Sequence, residues 1–227
     1  MEKLNTNPKL IIYHGSNELK GLPVFGKGKK INDYGLGFYC TEDLEKAKLW
    51  SVMNNTNGFV NKYELDLKDL NILRLDDKNI CQWLAILTKY RIVDDEGLKP
   101  ILDRFIKKFL TVNVNDYDCI IGYCADDSYF SIVRRFFSGT IALEDLSNLL
   151  HLGNLGYQFV LKSKKAFERL KFSECYNVVK SEYYSKYVKS DLRARRSADY
   201  IFKSSVLFQG KGTTVFNTLK EEKPNDR

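Results

Sequence analysis

Few side chains in this sequence are equipped for covalent or metal chemistry. There are two histidines in 227 residues, and one of them, His14, stands between the apolar run Leu10-Ile11-Ile12-Tyr13 and Gly15-Ser16. No G-x-S-x-G nucleophile elbow is present, and so few imidazoles leave little room for a hydrolytic triad. No H-E-x-x-H and no His/Cys cluster offers a metal site. The five cysteines (Cys40, Cys81, Cys119, Cys124 and Cys175) are odd in number and form no C-x-x-C pair. They read as reduced thiols, not as a disulfide framework. Gly26-Lys27-Gly28-Lys29-Lys30 and Gly210-Lys211-Gly212-Thr213-Thr214 have the composition of phosphate loops but not the P-loop spacing, so both read as turns. The glycine fingerprint of dinucleotide-binding folds, with its downstream acid, is also missing.

What survives these exclusions is a dispersed set of aromatic, amide and charged residues. Tyr39 closes Gly35-Leu36-Gly37-Phe38-Tyr39, Trp50 follows eleven residues later, and Gln158 sits within Tyr157-Gln158-Phe159-Val160. Asp126 and Asp127 form an acidic pair at the start of a helix, where they either cap it or position or deprotonate a reacting group in a bordering cleft. Arg134 and Arg135, or Lys29 and Lys30, suit a diphosphate, because guanidinium and ammonium groups match phosphate oxygens.

The elements that must position these residues follow from periodicity. The run ending at Tyr13 is a buried strand, residues 15 to 34 carry loop chemistry, and residues 35 to 40 read as a short strand. Thr41 caps a helix that places Leu44, Ala47 and Trp50 at helical spacing. Alternation from Phe59 to Leu67 predicts a half-buried strand. Two amphipathic helices, one through Ile80, Trp83, Leu84 and Leu87 and one from Leu98 to Phe109, form a helical insertion over about 79–112. Asp118 to Tyr123 is a buried strand, followed by a helix through Tyr129 to Phe137 and another over Leu143 to Leu150 that stops at Gly153. Tyr157 to Leu161 is a strand, Ser163 caps a short helix, and a strand-like run lies near Phe172. The fold class is α+β.

In this order, strand, His-Gly, loop, G-x-G-Phe-Tyr, aromatic-bearing helix and late strand with a polar residue, the sequence resembles ADP-ribosyltransferases of the His-Tyr-Glu class. That is the branch of diphtheria toxin and the poly(ADP-ribose) polymerases. Tyr13-His14-Gly15-Ser16, the block Asp33 to Thr41, Ala47 with Trp50, and Ile120-Ile121-Gly122 with Ala125-Asp126-Asp127 resemble more closely a bacterial family of small domains related to these transferases. That family was long of unknown function, and its genes often sit in toxin–antitoxin-type operons. The resemblance covers roughly residues 9 to 170.

It implies a split mixed β-sheet with the helical insertion and a catalytic domain over 1–180, to which composition adds a basic helical extension over 181–219 and a disordered tail over 220–227. It implies NAD⁺ as co-substrate, with His14 on the adenosine ribose, backbone groups of Gly15 on the nicotinamide amide and Ser16 supporting either contact. Tyr39 would stack on the nicotinamide ring and Trp50 would cover the other face or wall the pocket; aromatic faces hold a flat leaving group at little entropic cost. The third class position normally holds Glu. Here Gln158 takes it, which can orient a hydroxyl but brings no negative charge to an oxocarbenium-like ribose. The missing acid is sought past residue 120, at Asp126 or Asp127. Single ADP-ribose transfer is the implied reaction; NAD⁺ hydrolysis, or a binding module with a decayed site, are its rivals.

Charge bears on the acceptor. From Lys162 onward there are 16 Lys and Arg against 8 Asp and Glu, a balance of +8, while the preceding residues carry 20 against 21, a balance of −1. A basic last third in which Arg193, Arg195 and Arg196 lie among Tyr183, Tyr184, Tyr187 and Tyr200 fits an RNA or DNA acceptor, with aromatics stacking bases. The same charge fits a protein acceptor or an acidic antitoxin-like inhibitory partner. No apolar run of about 18 residues predicts a membrane span, and the polar start is unlike a signal peptide. The expected location is cytoplasmic.

Overall fold

A computed structural model describes residues 9–18, 21–91, 95–125, 127–152, 156–204 and 210–220. Its strands are β1 (Lys9–Ser16), β2 (Phe38–Cys40), β3 (Gly58–Asp66), β4 (Ile72–Arg74), β5 (Cys119–Tyr123), β6 (Tyr157–Leu161) and β7 (Leu170–Val178). Its helices are α1 (Leu44–Ser51), α2 (Ile80–Tyr90), α3 (Lys99–Phe109), α4 (Asp127–Phe137), α5 (Leu143–Leu152), α6 (Lys164–Glu168), α7 (Lys180–Lys203) and α8 (Val215–Thr218). The fold is mixed α+β, with two sheets.

The first sheet has the order β1-β3-β7 and is antiparallel throughout. The second has the order β2-β6-β5-β4, with only the β4–β5 pair parallel. An isolated bridge joins them: Tyr13 N donates to Thr41 O over 2.7 Å and Thr41 N returns a bond to Tyr13 O over 2.9 Å. The two sheets thus meet at the residue before His14. Between the sheets Ile12, Phe38, Tyr63, Leu65, Phe159 and Leu161 form one core. A larger core gathers Trp83, Phe105, Phe136 and Phe137 from the helices with Tyr34, Ile120 and Tyr123. Burial of such large apolar side chains is the main stabilising term of a domain this size.

The helical insertion expected over 79–112 is α2 and α3, between β4 and β5. Several local readings shift for physical reasons. The cap of α1 is Asp43, whose carboxylate accepts from Lys46 N over 3.0 Å. Thr41 is instead used twice nearby, its backbone in the bridge to Tyr13 and its hydroxyl accepting from Asp43 N over 3.1 Å. The strand expected from residue 35 begins at Phe38, because residues 32–35 close a turn through Gly35 N to Asn32 O. β4 spans three residues, too few for alternation to show in the sequence. Ser163 caps α6 as expected, accepting from Ala166 N. Gly153 and residues 221–227, expected as a helix stop and most of a disordered tail, lie outside the described residues.

Candidate functional site

At the split between the sheets lies a cleft of about 480 Å³. It is lined by the end of β1 (His14, Gly15, Ser16), the following loop (Lys29, Asn32, Asp33), Tyr39 of β2 and Trp50 of α1. Arg91, Cys124, Ala125, Gln158 of β6 and three residues of α7 also line it. A cavity of this size, with aromatic walls and a few convergent polar groups, is what a small-molecule site requires.

The floor is a buried polar network. Gln158 is only 3% exposed, and its Nε2 donates to Asp33 Oδ2 over 2.7 Å and to the Tyr123 carbonyl over 3.1 Å. Both partners can only accept, so the orientation of the amide is settled by chemistry, and Oε1 is its acceptor end. Asp33, also 3% exposed, accepts in addition from Ala125 N over 2.9 Å and pairs with Arg91 Nη1 over 3.1 Å. Three donors thus converge on one carboxylate. Gly122 makes room for this floor: a Cβ there would stand 2.3 Å from the hydroxyl of Tyr34, which donates to Tyr123 O over 2.8 Å.

The wall is held as tightly. The Tyr39 hydroxyl donates to Gly35 O over 2.6 Å and accepts from Tyr34 N over 3.0 Å, fixing the turn that carries Asp33. Burial holds this phenol well above its usual range, so it stays a neutral clamp. Lys162 ties the same turn to the end of β6, its Nζ donating to Tyr34 O over 2.8 Å and Leu36 O over 2.5 Å. Burial pulls this amine down to about 8. His14 Nδ1 lies 2.8 Å from Tyr39 O, and a carbonyl only accepts, so Nδ1 carries a hydrogen and Nε2 is the acceptor of the neutral ring. The imidazole also tilts over Phe38, with ring centroids 4.4 Å apart. Gly15 has a packing reason beside any contact to a ligand: a Cβ would meet the Ala47 carbonyl of α1 at 1.9 Å. Only glycine lets α1 lie this close and bring Trp50 to the cleft. At the mouth, Ser16 Oγ exchanges hydrogen bonds with the backbone of Glu18, both 3.0 Å.

The structure therefore brings His14, Gly15, Ser16, Tyr39, Trp50 and Gln158 to one cleft. Arg134, expected at a diphosphate, is exposed on α4 and does not line it, because the inner face of that amphipathic helix carries Ile132, Val133, Phe136 and Phe137 into the core. Arg135 instead pairs with Asp199 of α7. Lys29 lines the cleft and Lys30 does not. Asp126 lies outside the described residues, and Asp127 is the first residue of α4. The acid in contact with Gln158 is Asp33, from the loop before the Tyr39 strand.

Asp33, Arg91, Asp191 and Arg195 line the cleft without a sequence signal that assigns them there. Asp33 stands inside the motif block two residues before Gly35, which is the one local cue available. Nothing local distinguishes Arg91 or Arg195 from surface arginines. The α7 tyrosines also read differently in place: Tyr183, Tyr184 and Tyr187 pack on the cluster of Ala47, Val52, Val60 and Val178, while Tyr200 is 73% exposed. Among the described residues no group of three or more His, Cys, Asp or Glu is placed to hold a metal, and no helix is long and apolar enough to cross a membrane.

A polar-floored, aromatic-walled cleft between two short sheets places the chain among α+β domains with a candidate small-molecule site. The chain belongs to the family described as "Protein of unknown function (DUF3990)", whose model matches residues 10–172. No curated protein and no solved structure matches the chain.

Proposed function

We propose that the protein is a mono-ADP-ribosyltransferase, which cleaves the nicotinamide–ribose bond of NAD⁺ and transfers ADP-ribose to a macromolecular acceptor. The observation that carries this reading is the meeting of His14, Tyr39, Trp50 and Gln158, from both sheets and α1, in one cleft. These are the positions that the resemblance to His-Tyr-Glu transferases assigns to NAD⁺, and the two sheets joined at Tyr13 and Thr41 accord with the split sheet of that class.

The residues suit the substrate. Tyr39 and Trp50 supply aromatic faces for nicotinamide, and His14 offers Nε2 as an acceptor for a ribose hydroxyl. Gln158 offers Oε1 to the 2′-hydroxyl of the other ribose, while its amide nitrogen is occupied by the floor. As nicotinamide leaves with the bonding electrons, positive charge grows on the ribose, and an acceptor nucleophile then closes on C1′. The negative charge closest behind Gln158 is Asp33, one hydrogen bond away and partly balanced by Arg91. Stabilisation transmitted through a neutral amide is weaker than that of a carboxylate in direct contact. This favours single transfer over polymer growth.

The test is incubation of the purified chain with NAD⁺ labelled in its adenylate and a cell lysate. Labelled macromolecule that disappears with His14→Ala is the expected result, and nuclease or protease treatment then identifies the acceptor class. Nicotinamide release with no labelled acceptor assigns water as the nucleophile. If neither label nor released nicotinamide is found, the proposal falls.

A further inference from the structure

The family match ends at Phe172, inside β7, and helix α7 starts only at Lys180, yet the middle turns of that helix line the cleft. Tyr187, Asp191 and Arg195, spaced by four, form one stripe on α7, and all three face the cleft. The helix is held on both sides of the stripe. Toward its start, Lys48 of α1 lies over the Tyr183 ring at 5.4 Å, and Tyr183, Tyr184 and Tyr187 pack on the cluster around Ala47 and Val60. Toward its end, Asp199 pairs with Arg135 of α4 over 3.2 Å, and the Arg135 guanidinium sits 4.6 Å from the Phe202 ring centre. A helix of 24 residues is about 36 Å long, enough to strap the cleft from α1 to α4.

We propose that this strap supplies the cleft's phosphate contact, with Arg195 as the guanidinium that meets a nucleotide diphosphate and Asp191 as the carboxylate with which that anion competes. Asp191 accepts from Arg195 Nε over 2.9 Å and from Nη2 over 3.4 Å, which aims the planar fork along the helix face. Guanidinium carries five N–H donors and keeps its charge at any working pH, and its geometry matches phosphate oxygens. Arg195 is half exposed, whereas Arg91, also paired with an aspartate, is largely buried against Asp33 in the floor, and Lys29 comes from the loop after β1. Asp191 has a second effect, because its negative charge opposes an anion at the same place. Its removal therefore tightens anion binding, because it takes away a like charge and releases the Arg195 donors to the ligand. The identity of the ligand as a dinucleotide rests on the NAD⁺ reading; the phosphate contact does not.

Calorimetric titration of the full chain with ADP and with adenosine at low salt tests this. Arg195→Ala weakens ADP binding by roughly 10- to 100-fold, the value of a charge-assisted contact, and leaves adenosine binding unchanged. Asp191→Asn tightens ADP binding, and thermal melts establish that both variants are folded. Absence of ADP binding by the wild-type chain, or ADP binding that Arg195→Ala leaves unchanged, overturns the proposal. Arg195-dependent ADP binding without NAD⁺ cleavage sinks the transferase reading alone. NAD⁺ cleavage with ADP affinity unchanged in Arg195→Ala sinks the strap alone.

Discussion

Gln158 gives both hydrogens of its amide to acceptors, Asp33 Oδ2 at 2.7 Å and the Tyr123 carbonyl at 3.1 Å. A glutamine here is what the floor demands, because a carboxylate would face another carboxylate and a carbonyl with nothing to donate. Gln158→Glu is therefore expected to destabilise the fold, by about 2–4 kcal/mol near neutral pH. Two carboxylates at this distance share a proton, which raises the folded-state pKa of one of them. This stability is thus fully present only below the ordinary carboxyl range and is lost as pH rises from there through the raised value. Urea melts of wild type and Gln158→Glu at pH 5 and pH 8 check this: the gap between them should widen at the higher pH.

The same contact predicts coupling. In the double variant Asp33→Asn with Gln158→Glu, the new amide at 33 can donate to the new carboxylate at 158. Rescue is partial, because Ala125 N and Arg91 also need the acceptor that Asp33 now provides. A double-mutant cycle on unfolding free energy should give an interaction of about 1 kcal/mol or more in favour of the double variant. Strict additivity would mean that the two side chains do not act as a pair.

Most of the elements are legible in the sequence because burial imposes a period. Phe59 to Leu67 alternates and is β3; Ile80 to Leu87 and Leu98 to Phe109 repeat at helical spacing and are α2 and α3. β4, with three residues, is too short to carry a period. In the site, His14, Tyr39 and Gln158 are legible as motif positions. Their relation to Asp33 is not, because it depends on the turn at 32–35 folding back beneath β6, a tertiary event with no local signature. The part played by α7 is hidden for a different reason: its composition is that of a solvated basic helix, and only packing shows which face meets the cleft.

Gly15 gives a test of how the wall is built. A methyl group at this position would sit 1.9 Å from the Ala47 carbonyl, in a contact with backbone that cannot rotate away. Gly15→Ala must therefore push α1 outward, at a cost of about 1–3 kcal/mol typical of overpacking. Because α1 carries Trp50 into the cleft, the displacement should also change tryptophan emission and its quenching by acrylamide. A variant with the melting temperature and emission of wild type would show that α1 does not lie against β1 in this way.

Lys162 sets the expected response to alkaline pH. Burial lowers its amine to about 8 in the folded chain, against about 10.4 when exposed to water. Between these values the unfolded chain binds a proton that the folded chain does not, so this group makes stability rise with pH across the window. Below about 8 the amine is protonated in both states, and the full burial penalty applies. Lys162→Met removes this contribution together with the bonds to Tyr34 O and Leu36 O. Thermal melts from pH 7.5 to 9.5 should therefore show a rise in wild type relative to Lys162→Met. Loss of the clamp on the 34–36 turn should also loosen the hold on Asp33, seen as faster amide exchange in that turn. Parallel pH profiles for the two proteins would place the Lys162 amine in water, outside the cleft's supporting structure.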